Sequence, residues 1–214
     1  MLKKFAAAAC LVLLAPVAAA AHPHVFIDAK LDVVAGPDGT IKDLKNTWRF
    51  DEVFSSSVIM DFDTNMDLKL GTEELKKLAE TIRASLGEYD YFTFVTANGK
   101  QIAMVPPRVL TATYADSRLT VSFTMQPKAP LPLKGRLSFG IHDPTLYTSL
   151  DFKKDDDLTA RGAGFTGCAR KVVRPDADQV IAQNQTSLTD AFFNDPTGTD
   201  MSKLFATRLE LTCK

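Results

Sequence analysis

From His24 to Val34 apolar and polar residues alternate, with Val25, Ile27, Ala29, Leu31 and Val33 on one side and His24, Phe26, Asp28, Lys30 and Asp32 on the other. A period of two predicts a strand with one face turned to a core. Gly36-Pro37-Asp38-Gly39 has turn chemistry, and Thr40 to Phe50 reads as the returning strand of a hairpin. The period then lengthens. Across Asp51 to Asp61, Phe54, Val58 and Phe62 recur every four residues, a weak helical signal interrupted by three serines. Thr72 to Leu86 is the stronger helix. Thr72 can cap it, Glu73 and Glu74 suit its positive end, and Leu75, Leu78, Ala79, Ile82 and Leu86 form one apolar stripe before Gly87.

Beyond Gly87 the pattern returns to strands. Tyr91–Ala97 and Lys100–Val105 flank Asn98-Gly99, a strong hairpin signal, and Arg108–Ala115 and Arg118–Gln126 flank Asp116-Ser117. After a loop marked by Pro127, Pro130 and Pro132, strands are expected at Arg136–Ile141, Leu146–Lys153, Ala169–Val173 and Arg208–Cys213. Asp155-Asp156-Asp157 reads as a solvated turn. Short helical pieces are expected near Leu188–Asn194 and Met201–Ala206. The fold class is α+β: β-sandwich-like antiparallel sheets of hairpins, a helical, EF-hand-like insertion over 51–87, and short C-terminal helices.

The first 21 residues change the picture of where this fold works. Lys3 and Lys4, the apolar run Phe5–Val17 and Ala19-x-Ala21 make an export signal cut near Ala21, after Ala20 or Ala21. The run is too short to span a membrane. Cleavage after Ala21 leaves one periplasmic domain over 22–214, which is 193 of the 214 residues. Removing Lys3 and Lys4 from 25 basic residues leaves 23 against 26 acidic, a net charge of −3. That balance gives no basic excess for nucleic acid. Cys10 leaves with the signal, and Cys168 and Cys213 remain. In an oxidising compartment they read as a disulfide worth about 4 kcal/mol on the chain-entropy model, against the alternative of two separate buried thiols.

His22-Pro23-His24 is the sharpest chemical signal. A free α-amine at His22 and two imidazoles offer three nitrogen donors, a set suited to nickel, cobalt, zinc or copper. Pro23 has no N–H, so a chelate through deprotonated backbone amides is excluded. The competing reading is two polar residues at the start of an exposed strand. His142, in His142-Asp143-Pro144, is either a turn histidine or a further ligand, with Asp143 orienting a ring. Asp63, Asn65, Asp67 and Glu74 occupy positions 1, 3, 5 and 12 of a twelve-residue calcium loop. Leu68 stands at position 6 in place of glycine, so the loop reads as degenerate and calcium as doubtful. Gly162-Ala163-Gly164-Phe165-Thr166-Gly167 matches the dinucleotide glycine pattern but leads into a strand, not a helix, which rules against nucleotide binding there. No nucleophile elbow, phosphate loop or H-E-x-x-H occurs, and no enzyme activity is expected.

His22-Pro23-His24-Val25-Phe26-Ile27-Asp28, Trp48-Arg49-Phe50-Asp51-Glu52-Val53-Phe54, Asp63–Glu74, Asp90-Tyr91-Phe92, Pro106-Pro107-Arg108 and Asp143-Pro144-Thr145 occur in that order. In this the chain resembles a bacterial exported family of unknown function, labelled the periplasmic component of an uncharacterised ABC-type transport system. The resemblance covers essentially the whole mature chain. It implies association with nickel/cobalt or zinc transport, hence a transition-metal accessory using His22 and His24 beside an inner-membrane metal transporter. Two departures stand out: relatives tend to carry an aromatic residue where this chain has His142, and glycine where it has Leu68. The alternatives are a protein-interaction domain without metal, or a copper enzyme with a histidine brace.

Overall fold

The computed structural model describes residues 23–189, 192 and 201–214. The expected export signal, His22 and most of the expected 188–194 helix lie outside the described residues. The leading hairpin forms as its alternation requires. Strand β1 (Val25–Ala35) buries Val25, Ile27, Ala29, Leu31 and Val33, and pairs antiparallel with β2 (Thr40–Phe50), Ile27 opposite Phe50 and Val33 opposite Leu44. Because strand side chains repeat every two residues, this register puts Leu44, Trp48 and Phe50 on the same inner face.

Helix α1 (Glu52–Phe62) follows directly, capped by Asp51, whose carboxylate accepts the Phe54 N–H. Helix α2 (Thr72–Leu86) buries Leu78, Ala79 and Leu86 and half-buries Leu75 and Ile82, the expected stripe. Its N-cap is Gly71, not Thr72: the Glu74 carboxylate accepts the Gly71 N–H, leaving Thr72 in the first turn.

The strands that follow are β3 (Thr93–Ala97), β4 (Lys100–Gln101), β5 (Met104–Val105), β6 (Leu110–Ala115), β7 (Arg118–Pro127), β8 (Leu131–Pro132), β9 (Gly135–Ile141), β10 (Thr148–Asp151), β11 (Leu158–Arg161) and β12 (Cys168–Val173), then helix α3 (Ala177–Gln183) and β13 (Arg208–Cys213). They make two sheets. One runs β10-β1-β2-β7-β5, with β11 on β1, β6 on β7 and β8 on β2; the other runs β12-β13-β9-β3-β4. Inner residues of both, among them Leu31, Trp48, Leu119 and Val121 from the first and Val95, Phe139, Leu209 and Leu211 from the second, join Leu78 of α2 in one buried cluster. The content is mixed α and β, mostly strand. None of the described helices is long and apolar enough to cross a membrane.

Several expectations are corrected. Tyr91 is not in a strand. Asp90, Tyr91 and Phe92 take positive φ of 50°, 54° and 54° as the chain turns out of a 3₁₀ segment, so β3 starts at Thr93. Lys100–Val105 is not one strand: β4 pairs with β3, whereas β5 leaves for the other sheet and pairs with β7. The sheets are not purely antiparallel. The strand expected over Leu146–Lys153 is confined to β10, Thr148–Asp151, and both β10 and β11 run parallel to β1. The Asp155–Asp157 turn is only partly solvated, because Asp157 is buried and its carboxylate accepts the Lys154 N–H. Helix α3 was not expected.

At the other end, Cys168 and Cys213 sit directly opposite each other in the β12–β13 ladder and form a disulfide, Cα to Cα 4.1 Å. The glycine-rich stretch before it is a short 3₁₀ turn over Ala163–Gly167 that feeds β12, not a helix-opening phosphate loop. Gly162 has φ 115°, with the backbone of Ala35 where a β-carbon would project.

Candidate functional site

His24 lies at the first exposed position before β1, on the outward face shared by Phe26 and Lys30. Its backbone is pinned from across the sheet. The N–H groups of His24 and Val25 both donate to the Tyr147 carbonyl, at 2.8 and 3.3 Å, and the His24 ring lies 4.8 Å from the Tyr147 ring. Tyr147 belongs to the turn that begins at His142, so two histidine-bearing segments 118 residues apart in sequence meet at one end of the molecule.

Asp143 builds that turn. It is buried, and its two oxygens accept the Thr145 N–H (2.8 Å), the Thr145 hydroxyl (2.6 Å) and the Thr148 N–H (2.8 Å). Leu146, at φ 60°, closes the reversal by donating to the Asp143 carbonyl. Both Asp143 oxygens therefore serve the turn. The signal for this in the sequence is Asp-Pro-Thr, since a short carboxylate followed two residues later by a hydroxyl nucleates such turns. His142 donates its backbone N–H to the Phe92 carbonyl and sets its ring edge-on to Phe94 at 5.2 Å.

His142 and Asp143 line a cavity of about 350 Å³ together with Ile27, Ile141 and Ser202. At its rim Lys153 bridges Asp151 (3.2 Å) and Asp28 (3.3 Å), and these hydrogen bonds raise the Lys153 pKa. Asp28 also accepts from Arg118 at 3.1 Å. His24 is not part of this lining: its ring faces Tyr147, whereas His142 faces Phe94 and the cavity. Among the described residues no group of three or more His, Cys, Asp or Glu side chains is arranged to hold a metal ion. His22 falls outside them.

One functional support escaped the sequence reading. Asp51 caps α1 with one oxygen and with the other accepts the Phe26 N–H (2.9 Å), while its own N–H donates to the Phe26 carbonyl (2.8 Å). Burial pushes the Asp51 carboxyl up, but the N–H donors of Phe26, Phe54 and Val53 outweigh it and hold the pKa below its ordinary value. The start of β1 is thus held from two sides, by Asp51 and by the Asp143 turn.

The Asp63–Glu74 segment has the order helix, loop, helix. Leu68 takes φ 62° and Met66 φ 59°, so leucine occupies the left-handed position where a calcium loop places glycine. Asp63 accepts the N–H groups of Asp67 (3.2 Å) and Leu68 (2.7 Å), Asn65 accepts that of Asp67 (3.0 Å), and Asp67 accepts that of Lys69 (2.9 Å). Glu74 accepts from Gly71 at 2.8 Å and from the Thr64 N–H and hydroxyl at 2.7 Å each, and these donors, Gly71 foremost, lower its pKa. The carboxylates are engaged with loop backbone and do not converge as a metal group.

The sequence matches the family described as "Protein of unknown function (DUF1007)" over residues 7–213. The chain belongs to this family. It is also 30% identical over 104 residues to an uncharacterized 15.5 kDa protein in the trpE 3′ region of Spirochaeta aurantia, a stretch that is 49% of this chain and 74% of the relative. Neither description states an activity, so function rests on the geometry above.

Proposed function

We propose that this DUF1007 protein is a periplasmic, non-enzymatic accessory of a transition-metal transport or homeostasis system, the periplasmic component of an ABC-type system. In this reading it presents a metal at the exposed start of β1. His24 is the anchored ligand, and His22 and its free amine complete the nitrogen set. A partner such as an inner-membrane metal transporter would take the ion from there. The observation that carries the reading is the double pinning of β1. The Tyr147 carbonyl accepts the His24 N–H and Asp51 accepts the Phe26 N–H two residues on, so a ligand on a chain terminus starts from an ordered position. Pre-ordering lowers the entropic cost of binding.

The test is metal analysis of the exported protein after equilibration with nickel, cobalt, zinc and copper, beside His24→Ala. The expected result is one retained ion per chain, lost in the variant. Equal metal content in both would overturn the reading. A second reading, calcium held by Asp63, Asn65, Asp67 and Glu74, rests on Leu68 taking the left-handed position of a calcium loop, and requires these carboxylates to turn from the loop N–H groups to an ion. Calcium calorimetry on the metal-free protein separates the two.

A further inference from the structure

The α1–loop–α2 segment carries apolar surface that the fold leaves uncovered. Val53, Ser56, Ser57 and Met60 are spaced i, i+3, i+4, i+7, and all face away from buried Ser55 and Val58. Val53 is 83% exposed and Met60 86%. The two serines between them add little free polarity, because Ser56 and Ser57 donate their hydroxyls back to the Glu52 and Phe54 carbonyls at 2.7 and 2.8 Å. Met66 (86% exposed) and Leu68 (79%) stand in the loop that begins directly after α1.

Those two loop residues are costly in two ways at once. Each holds a large apolar side chain in water, and each does so at a positive φ that penalises any residue with a β-carbon. Glycine or asparagine would take the same backbone more easily and stay hydrated. Asp63, Asn65 and Asp67 lock this arrangement by accepting loop N–H groups. Strain and exposed apolar surface in one rigid place are the marks of a contact surface.

Charge says what kind of partner fits. Residues 51–74 contain seven carboxylates (Asp51, Glu52, Asp61, Asp63, Asp67, Glu73, Glu74) and one basic residue, Lys69, a net of −6 in a chain whose total is −1. A second copy docking through this same face would bring the same negative charge to the contact, and an anionic lipid surface would repel it. We propose that the outer face of α1 and the Met66–Leu68 loop form a docking surface for a basic amphipathic segment of a partner protein. Apolar side chains of the partner cover Met60, Met66 and Leu68, and its Lys or Arg residues meet Glu52, Asp61, Asp67 and Glu73. The surface does not use His24 and does not depend on metal binding there.

The test uses the full exported chain and a fluorescent amphipathic Leu/Lys peptide of ~18 residues, with a Leu/Glu peptide of the same pattern and phosphatidylglycerol vesicles as controls. Anisotropy should show binding of the Leu/Lys peptide alone. The double variant Met66→Asn/Leu68→Asn should weaken it by roughly tenfold or more, with a melting temperature equal to or above the parent's, since asparagine tolerates left-handed backbone. Val53→Ser/Met60→Ser, on regular helix, should weaken binding without touching the loop. Unchanged affinity in both double variants, equal binding of the Leu/Glu peptide, or vesicle binding without peptide binding would each overturn the proposal.

Discussion

Replacing Asp143 by alanine tests whether the turn beneath His24 is the support described above. The carboxylate accepts three donors, two backbone N–H groups and one hydroxyl, inside a buried position. Hydrogen bonds to a charged group contribute about 1.5–3 kcal/mol each. The Thr145 hydroxyl can rotate to another acceptor, so two bonds dominate the loss. The desolvation of a buried carboxylate, absent in the variant, offsets part of it. The expected net cost is about 2–4 kcal/mol. Asp143→Asn should recover only part, because its amide nitrogen would place a donor against an N–H. Urea unfolding followed by the emission of Trp48, the single tryptophan and fully buried, measures the loss. Ring resonances of His24 and Tyr147, which lie 4.8 Å apart, report the local consequence and should shift together. A destabilisation under about 1 kcal/mol with both sets of resonances unmoved would refute the argument.

Asp51 and the disulfide supply two more predictions. The folded-state pKa of Asp51 lies below its ordinary 3.8, so its contribution is complete above that value and is lost as pH falls through the depressed one. Asp51→Asn should therefore flatten the acid limb of urea midpoints measured from about pH 5 down to pH 2; superimposable limbs would contradict the assignment. The Cys168→Ser/Cys213→Ser protein should lose about 4 kcal/mol, because the bridge closes a 45-residue separation and that constraint on the unfolded chain disappears. An unchanged denaturation midpoint would show that the ladder alone holds β12 to β13.

Legibility followed the range of the physics. The β1–β2 hairpin, the α2 stripe, the Asn98-Gly99 and Asp116-Ser117 turns and strand β13 depend on neighbours within a few residues, and periodicity predicted them. At both turns the two central residues take positive φ, 49° and 80°, then 51° and 59°. Pairing partners were not legible in this way. Nothing in Met104-Val105 says that it pairs with β7 and not β3, and nothing in 148–151 says that it runs parallel to β1. The candidate site divides along the same line. His24 and the disulfide cysteines could be named from residue type, whereas the roles of Asp143, Tyr147 and Asp51 arise from contacts made across the sheets.

The order of residues alone determined the mixed strand-and-helix content, the faces that turn inward and the chemistry available at the start of β1. Only the folded chain decided which edge each strand joins, that β1 is pinned by both Asp51 and the Tyr147 carbonyl, and that Leu68 is held at positive φ by the Asp63 carboxylate. The reason is physical. A side-chain period acts over one or two turns of backbone, while pairing and burial are settled by the sum of distant contacts, each too weak to be read from its own segment.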